Sequence, residues 1–163
     1  MKEVRVNKEN AMKKMNGTQL LTRMALGAAF FLMSTVTAHS AEYVSVTKDG
    51  VNLRSGPDTK YSVLYELPEG YPLKVVSRNG QWIKVSDFEN DEGWVFTPLV
   101  SNNTHVIVTV NEGNIRSGAG VNYEKTGQVV REVLLKKVGQ QGDWIQVEHP
   151  QLKGWIHNKL VWP

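Results

Sequence analysis

One short stretch occurs twice and constrains everything after it: Asn52-Leu53-Arg54-Ser55-Gly56 and Asn114-Ile115-Arg116-Ser117-Gly118. Each copy is followed at the same distance by a tyrosine, Tyr61 and Tyr123, and later by Trp82-Ile83-Lys84-Val85 and Trp144-Ile145-Gln146-Val147. All of these blocks repeat at a period of 62 residues. The register slips by a single residue only at Gly93-Trp94-Val95 and Gly154-Trp155-Ile156, so the second copy has lost one loop residue. Four matched blocks in fixed order mean two copies of one small domain.

The part before the repeat reads as a targeting segment. Basic residues (Lys8, Lys13, Lys14, Arg23) precede the apolar run from Met24 to Met33, and small and polar residues follow up to Ala41. This is the three-part layout of a secretory signal peptide, and residues 1–41 are assigned to it, with cleavage after Ser40 or Ala41. The apolar run is short for a membrane span of about 20 residues. An uncleaved anchor, which would tie the protein to a membrane, is the competing reading.

Removing this segment changes the charge. The whole chain is +3, but from Glu42 onward thirteen basic side chains face fourteen acidic ones. The basic character belongs to the leader, so nucleic-acid binding has no support. Residues 42–100 carry −3 and residues 101–163 carry +2, an imbalance that can draw the copies together or give them different ligands. The chain has no cysteine, so domains of this size must rest on apolar burial and strand pairing alone.

Alternation and turn chemistry point to strands throughout. Tyr43 to Val46, Val51 to Arg54, Val63 to Leu67, Pro72 to Val76, Trp82 to Val85 and Gly93 to Phe96 are short extended runs. Gly56-Pro57, with Gly56 free to take positive φ, together with Pro68-Glu69-Gly70 and Asn79-Gly80, separate them as turns. The second copy repeats the pattern, and no window shows a helical stripe. Short strands with turns every eight to twelve residues predict an all-β fold of two small barrels or sandwiches. Ser101 to Thr104 is the only linker, so the domains 42–100 and 105–163 are expected side by side.

Each copy resembles a bacterial SH3 domain. The likeness rests on Asn-x-Arg-Ser-Gly, the following Tyr, Gly-x-Trp-x-x-Val, and the terminal Gly-Trp-Val/Ile block ending in Leu-Val, in order and twice. It implies tandem SH3-like barrels of five strands each, with Gly56 and Gly118 in a long loop. It also implies binding of cell-wall peptidoglycan or of an envelope protein, in the periplasm or outside the cell. Ala119 replaces Pro57 and Gly127 replaces Tyr65 in the second copy, so a groove using those positions would differ between the copies.

Each candidate binding residue also has a simpler role open to it. Arg54 and Arg116 can grip a carboxylate in a bidentate fork. Alternatively, the motif builds the loop, with Asn52 and Ser55 bonding backbone groups while the arginine stems cover the barrel edge. The structural role is preferred for Asn52, Arg54, Gly56, Asn114, Arg116 and Gly118. On the β-hairpin, Ile83, Val85 and Val95 are expected inside, leaving Trp82, Lys84, Trp94 and Phe96 outside. Trp82 and Trp94 are expected near each other, where they either stack on a sugar ring or proline-rich segment or only stabilise the sheet. Trp155 is expected to meet Trp162. From residue 42 the first copy holds eight aromatic residues and the second four, so the ligand site is placed on Tyr61, Tyr65, Trp82 and Trp94, with Asp58 and Glu66 as polar contacts.

Catalysis, metal and cofactor lack a motif. There is no cysteine nucleophile, His105, His149 and His157 stand singly, and the acidic loop Asp87 to Glu92 lacks the glycine punctuation of a calcium loop. The expectation is a non-enzymatic exported protein that recognises peptidoglycan, with an adaptor for a protein or peptide partner as the alternative.

Overall fold

A computed structural model describes residues 40–163. The signal-peptide assignment therefore falls outside the described residues except at its last two positions. Seven strands make a first antiparallel sheet: β1 Tyr43–Val46, β2 Val51–Arg54, β3 Val63–Leu67, β4 Pro72–Asn79, β5 Trp82–Ser86, β6 Glu92–Phe96 and β7 Val100–Asn102. Seven more make a second: β8 His105–Val108, β9 Glu112–Arg116, β10 Lys125–Val130, β11 Leu134–Gln141, β12 Trp144–His149, β13 Leu152–His157 and β14 Val161–Trp162. The strand orders, β3-β2-β6-β5-β4-β1-β7 and β10-β9-β13-β12-β11-β8-β14, are the same topology used twice.

Two features raise the strand number above five. The arms of the long loop, β2 with β3 and β9 with β10, pair with each other. After a 3-10 turn at Thr97–Leu99 or Asn158–Leu160, the end of each copy then returns to pair with its first strand. Ser101 and Asn102, expected in a linker, therefore belong to β7, leaving only Asn103 and Thr104 irregular between the sheets.

The eight-residue strands β4 and β11 serve two partners each. Their first halves pair with β1 and β8, and their second halves with β5 and β12. A register shift lies at Val75/Ser77 in one and at Lys137/Gly139 in the other, and such bulges bend a strand around a barrel.

The alternation reads directly onto burial. Val44, Val46, Val51, Leu53, Leu67, Leu73, Ile83, Val85 and Val95 fill the first core. Val106, Val108, Ile115, Val129, Leu135, Ile145, Val147, Ile156 and Val161 fill the second. Ser45 and Ile107 break the simple pattern. Both lie on the side of their strands away from the core, yet each is only 1% exposed. Ser45 Oγ donates to Asn103 Oδ1 at 2.8 Å and accepts from Thr104 N at 3.2 Å. The chain between the barrels covers this serine, so its expected solvent face is closed.

The barrels meet along this seam. Tyr43 packs edge-on against Trp162, with ring centroids 5.4 Å apart and planes at 86°. Arg131 of the second barrel pairs with Glu89 of the first at 2.6 Å, its guanidinium over the Phe88 ring at 5.2 Å. Gly70, at φ +82°, lies so close to the His105 ring that a Cβ there would come within 2.9 Å of it. The charge imbalance of the copies is used here at one ion pair.

Candidate functional site

The repeated motif is spent inside its own loop. Arg54 Nη1 donates to the carbonyls of Thr59 at 3.2 Å and Tyr61 at 2.9 Å, and Arg116 Nη1 donates to that of Tyr123 at 2.8 Å. Among the described residues the side chains of Asn52, Asn114 and Ser55 make no hydrogen bond, so it is the arginine heads that hold the loop carbonyls. Gly56 and Gly118 are not at positive φ. Their requirement is space: a Cβ on either would come within 2.5 Å of the ring of Tyr61 or Tyr123. Arginine, glycine and tyrosine thus form one unit, the head of the first holding the carbonyl of the third while its ring covers the second.

Asp58 belongs to the same loop. Its Oδ1 accepts from Lys60 N at 3.0 Å, and this backbone donor holds its carboxyl below the ordinary range. Tyr61 and Asp58 therefore sit in one loop, and Arg54, which holds the Tyr61 carbonyl, lies opposite Trp94 in the register.

On the β5–β6 hairpin Ile83, Val85 and Val95 are buried and Trp82, Lys84, Trp94 and Phe96 face outward, half-covered. Register puts Phe96 opposite Trp82 and Lys84 opposite Trp94. Trp82 consequently packs on Phe96, centroids 5.5 Å apart, rather than on Trp94. In the second barrel Trp144 packs on His157 at 5.2 Å, and Trp162 meets Tyr43 rather than Trp155. His157 Nδ1 also accepts from Lys159 N at 3.2 Å, capping the 3-10 turn. Strand register decides the first two pairings, whereas Tyr43 and Trp162 meet across the seam between the sheets.

Of the six expected residues, Tyr65 and Glu66 line a cleft. It lies where the barrels meet, has a volume of about 390 Å³, and is also lined by Tyr71, Phe88 and Ile107. Five carboxylates border it: Glu66, Asp87, Glu89, Asp91 and Glu132. Tyr65 Oη donates to Asp91 Oδ2 at 3.0 Å, and this bond and the aspartate charge push the Tyr65 phenol up. The half-buried Tyr71 is pushed up by burial and by Asp87, to which its hydroxyl donates at 3.4 Å. Asp87 also organises the loop that carries it. Its Oδ1 accepts from Glu89 N and Asp91 N, both at 2.9 Å, folding the acidic segment around itself.

Such a cleft offers aromatic faces and negative potential in one place, which suits a ligand with apolar ring faces and a cationic group. The contribution of Phe88, Ile107 and Glu132 was not legible in the separate copies. The one signal was the unbroken apolar run Val106-Ile107-Val108, which gives a strand two buried faces.

A larger cleft of about 680 Å³ lies between the Glu69 turn and the β12–β13 hairpin; the two share Leu134 in their walls.

Two family profiles agree with this division into two barrels. The profile of the bacterial SH3 domain matches residues 47–102, and a second profile of the same description matches 111–161. YrvJ of Bacillus subtilis, assigned as an N-acetylmuramoyl-L-alanine amidase, is 27% identical over 145 residues, covering 82% of this chain and 28% of that protein. LytH of Staphylococcus aureus, assigned as a cell wall amidase, is 34% identical over 53 residues, 32% of this chain and 18% of that protein. The chain thus spans less than a third of the length of these relatives. The structure of NlpC2 from Trichomonas vaginalis aligns over 76% of this chain and 48% of its own, at 14% identity and a TM-score of 0.35.

Proposed function

Because this chain belongs, twice over, to the bacterial SH3 domain family, we propose that it is an exported, non-enzymatic protein that binds peptidoglycan of the cell wall. The observation that carries this reading is the aromatic and acidic cleft at the seam. Tyr65, Tyr71 and Phe88 offer faces for sugar rings, and the surrounding carboxylates offer partners for the amino groups of peptide stems. Relatives assigned as cell wall amidases support the same setting, with this chain matching only a minor part of their length.

The test is sedimentation with purified sacculi. The wild-type protein is expected in the pellet, and Tyr65→Ala combined with Phe88→Ala in the supernatant. A wild-type protein that stays in the supernatant, or a double variant that pellets equally, sinks the reading. Incubation with labelled cell wall is expected to release nothing above background, and release would overturn the non-enzymatic part.

The adaptor reading rests on a different element. β3 is the edge of its sheet and exposes Val63 (47%) and Leu64 (44%), an arrangement that can accept an added strand from a protein or peptide. Photo-crosslinking from position 64 distinguishes the two readings, since an adaptor yields one discrete protein adduct.

A further inference from the structure

We propose that the larger cleft, between the Glu69 turn of the first barrel and the β12–β13 hairpin of the second, is a binding site for a short amphoteric peptide carrying an ammonium group flanked by carboxylates. This site adjoins the aromatic cleft at Leu134 but is lined by other charged groups, and it does not depend on polymer binding there.

Strand register lays out the charges of this cleft. Lys136 lies opposite His105 across β11–β8, opposite Glu148 across β11–β12, and Glu148 lies opposite Lys153 across β12–β13. Four side chains therefore stand in one row across four neighbouring strands, about 4.8 Å apart. His105 ends the row as a neutral group, because burial and the adjacent Lys136 hold its pKa below the ordinary value. The charges along the row then read positive, negative, positive.

Opposite charges directly across a sheet ordinarily pair. Here they do not: among the described residues no ion pair uses Lys136, Glu148, Lys153 or the facing Glu69, and their side chains make no hydrogen bonds. All four line a cleft of about 680 Å³, within the range of small-ligand sites, with Leu134 supplying apolar wall. A complementary ligand presents negative, positive, negative at a similar spacing. Glutamyl-glycine has that order, its α-ammonium lying between the side-chain carboxylate and the terminal one. Because Glu69 comes from the other barrel, such a ligand also touches both halves of the molecule.

The probe is glutamyl-glycine, titrated into ¹⁵N-labelled protein and followed by amide chemical shifts. Saturable shifts are expected at His105, Lys136, Glu148 and Lys153, and the N-acetylated dipeptide is expected to bind about ten-fold more weakly, as for loss of one charge-assisted hydrogen bond. Lys136→Gln with Lys153→Gln is expected to weaken the free dipeptide by at least about ten-fold. Glu148→Gln is expected to remove the preference for the free amine, while Lys159→Gln, outside the cleft, changes nothing. All these side chains except His105 are exposed, so the variants keep the fold. Non-saturating shifts, shifts scattered over both barrels, or a Glu148→Gln variant that still prefers the free amine would overturn the proposal.

Discussion

Tyr61 and Tyr123 press their rings onto Gly56 and Gly118, and the arginine of each motif holds the tyrosine carbonyl. Gly56→Ala must therefore push the ring away, at a cost of about 1–3 kcal/mol. In urea titration, adding Tyr61→Ala is expected to cancel most of that cost, since the two residues share one contact. Arg54→Ala gives up two bonds to exposed loop carbonyls and is expected to cost about 1 kcal/mol. Its sacculus binding should persist as long as the barrel stays folded; lost binding at full stability would return Arg54 to a ligand role. His105 carries a pH dependence whose sign follows from its surroundings. Burial and Lys136 lower its pKa from 6.5, against an opposing effect of Glu69, so the unfolded chain binds the proton more readily than the folded one. Stability is then full above the unfolded pKa and falls as pH drops below about 6.5. Thermal melts between neutral and mildly acidic pH check this, and His105→Gln is expected to flatten the dependence.

At the scale of elements, the repeat is a repeat of strands with bulges in the same places, and the differences sit at sheet edges. β3 exposes apolar side chains on both of its faces, whereas its counterpart β10 carries Lys125, Thr126 and Gln128. Open edges of apolar character invite pairing with another chain, and lysine blunts them. Leu64→Lys is expected to change stability by less than about 0.5 kcal/mol. It should nonetheless lower any self-association seen by light scattering at high protein concentration. The hairpin β5–β6 illustrates what was readable and what was not. Which residues of Trp82-Ile83-Lys84-Val85 face inward follows from the period of two, but Trp82 meeting Phe96 instead of Trp94 depends on the length of the turn between the strands. That length sets the register, and nothing local to either strand reports it.

Across the whole molecule, the two barrels share a seam built from both kinds of interaction, and these are unequal. Ile107 is buried against the first barrel, whereas the Arg131–Glu89 pair is partly exposed. Ile107→Ala is expected to cost about 2–4 kcal/mol. It should also split one calorimetric unfolding transition into two, as the barrels lose their coupling. Arg131→Ala is expected to cost less than about 1 kcal/mol and to leave a single transition. The reverse order would mean that charge, not apolar burial, joins the barrels. The aromatic cleft and the charged row both lie along this seam, so a change there is expected to alter binding as well as stability.

The sequence by itself determined the all-β class, the two copies, the inward face of most strands and the identity of the motif, because these depend on spacing within a few residues and on a repeated pattern. Through the aromatic excess of the first copy it also singled out Tyr61, Tyr65, Trp82 and Trp94, with Asp58 and Glu66, without showing which of them lie together. Only the tertiary structure decided what these residues do together. Asp58 and Tyr61 are taken up by their own loop, Trp82 by Phe96, and the cleft is completed by Phe88, Ile107 and Glu132, which come from distant segments and from both barrels. The physical reason is that strand periodicity is local, whereas a seam between domains is made by register, loop length and long-range packing, none of which leaves a periodic trace in the chain.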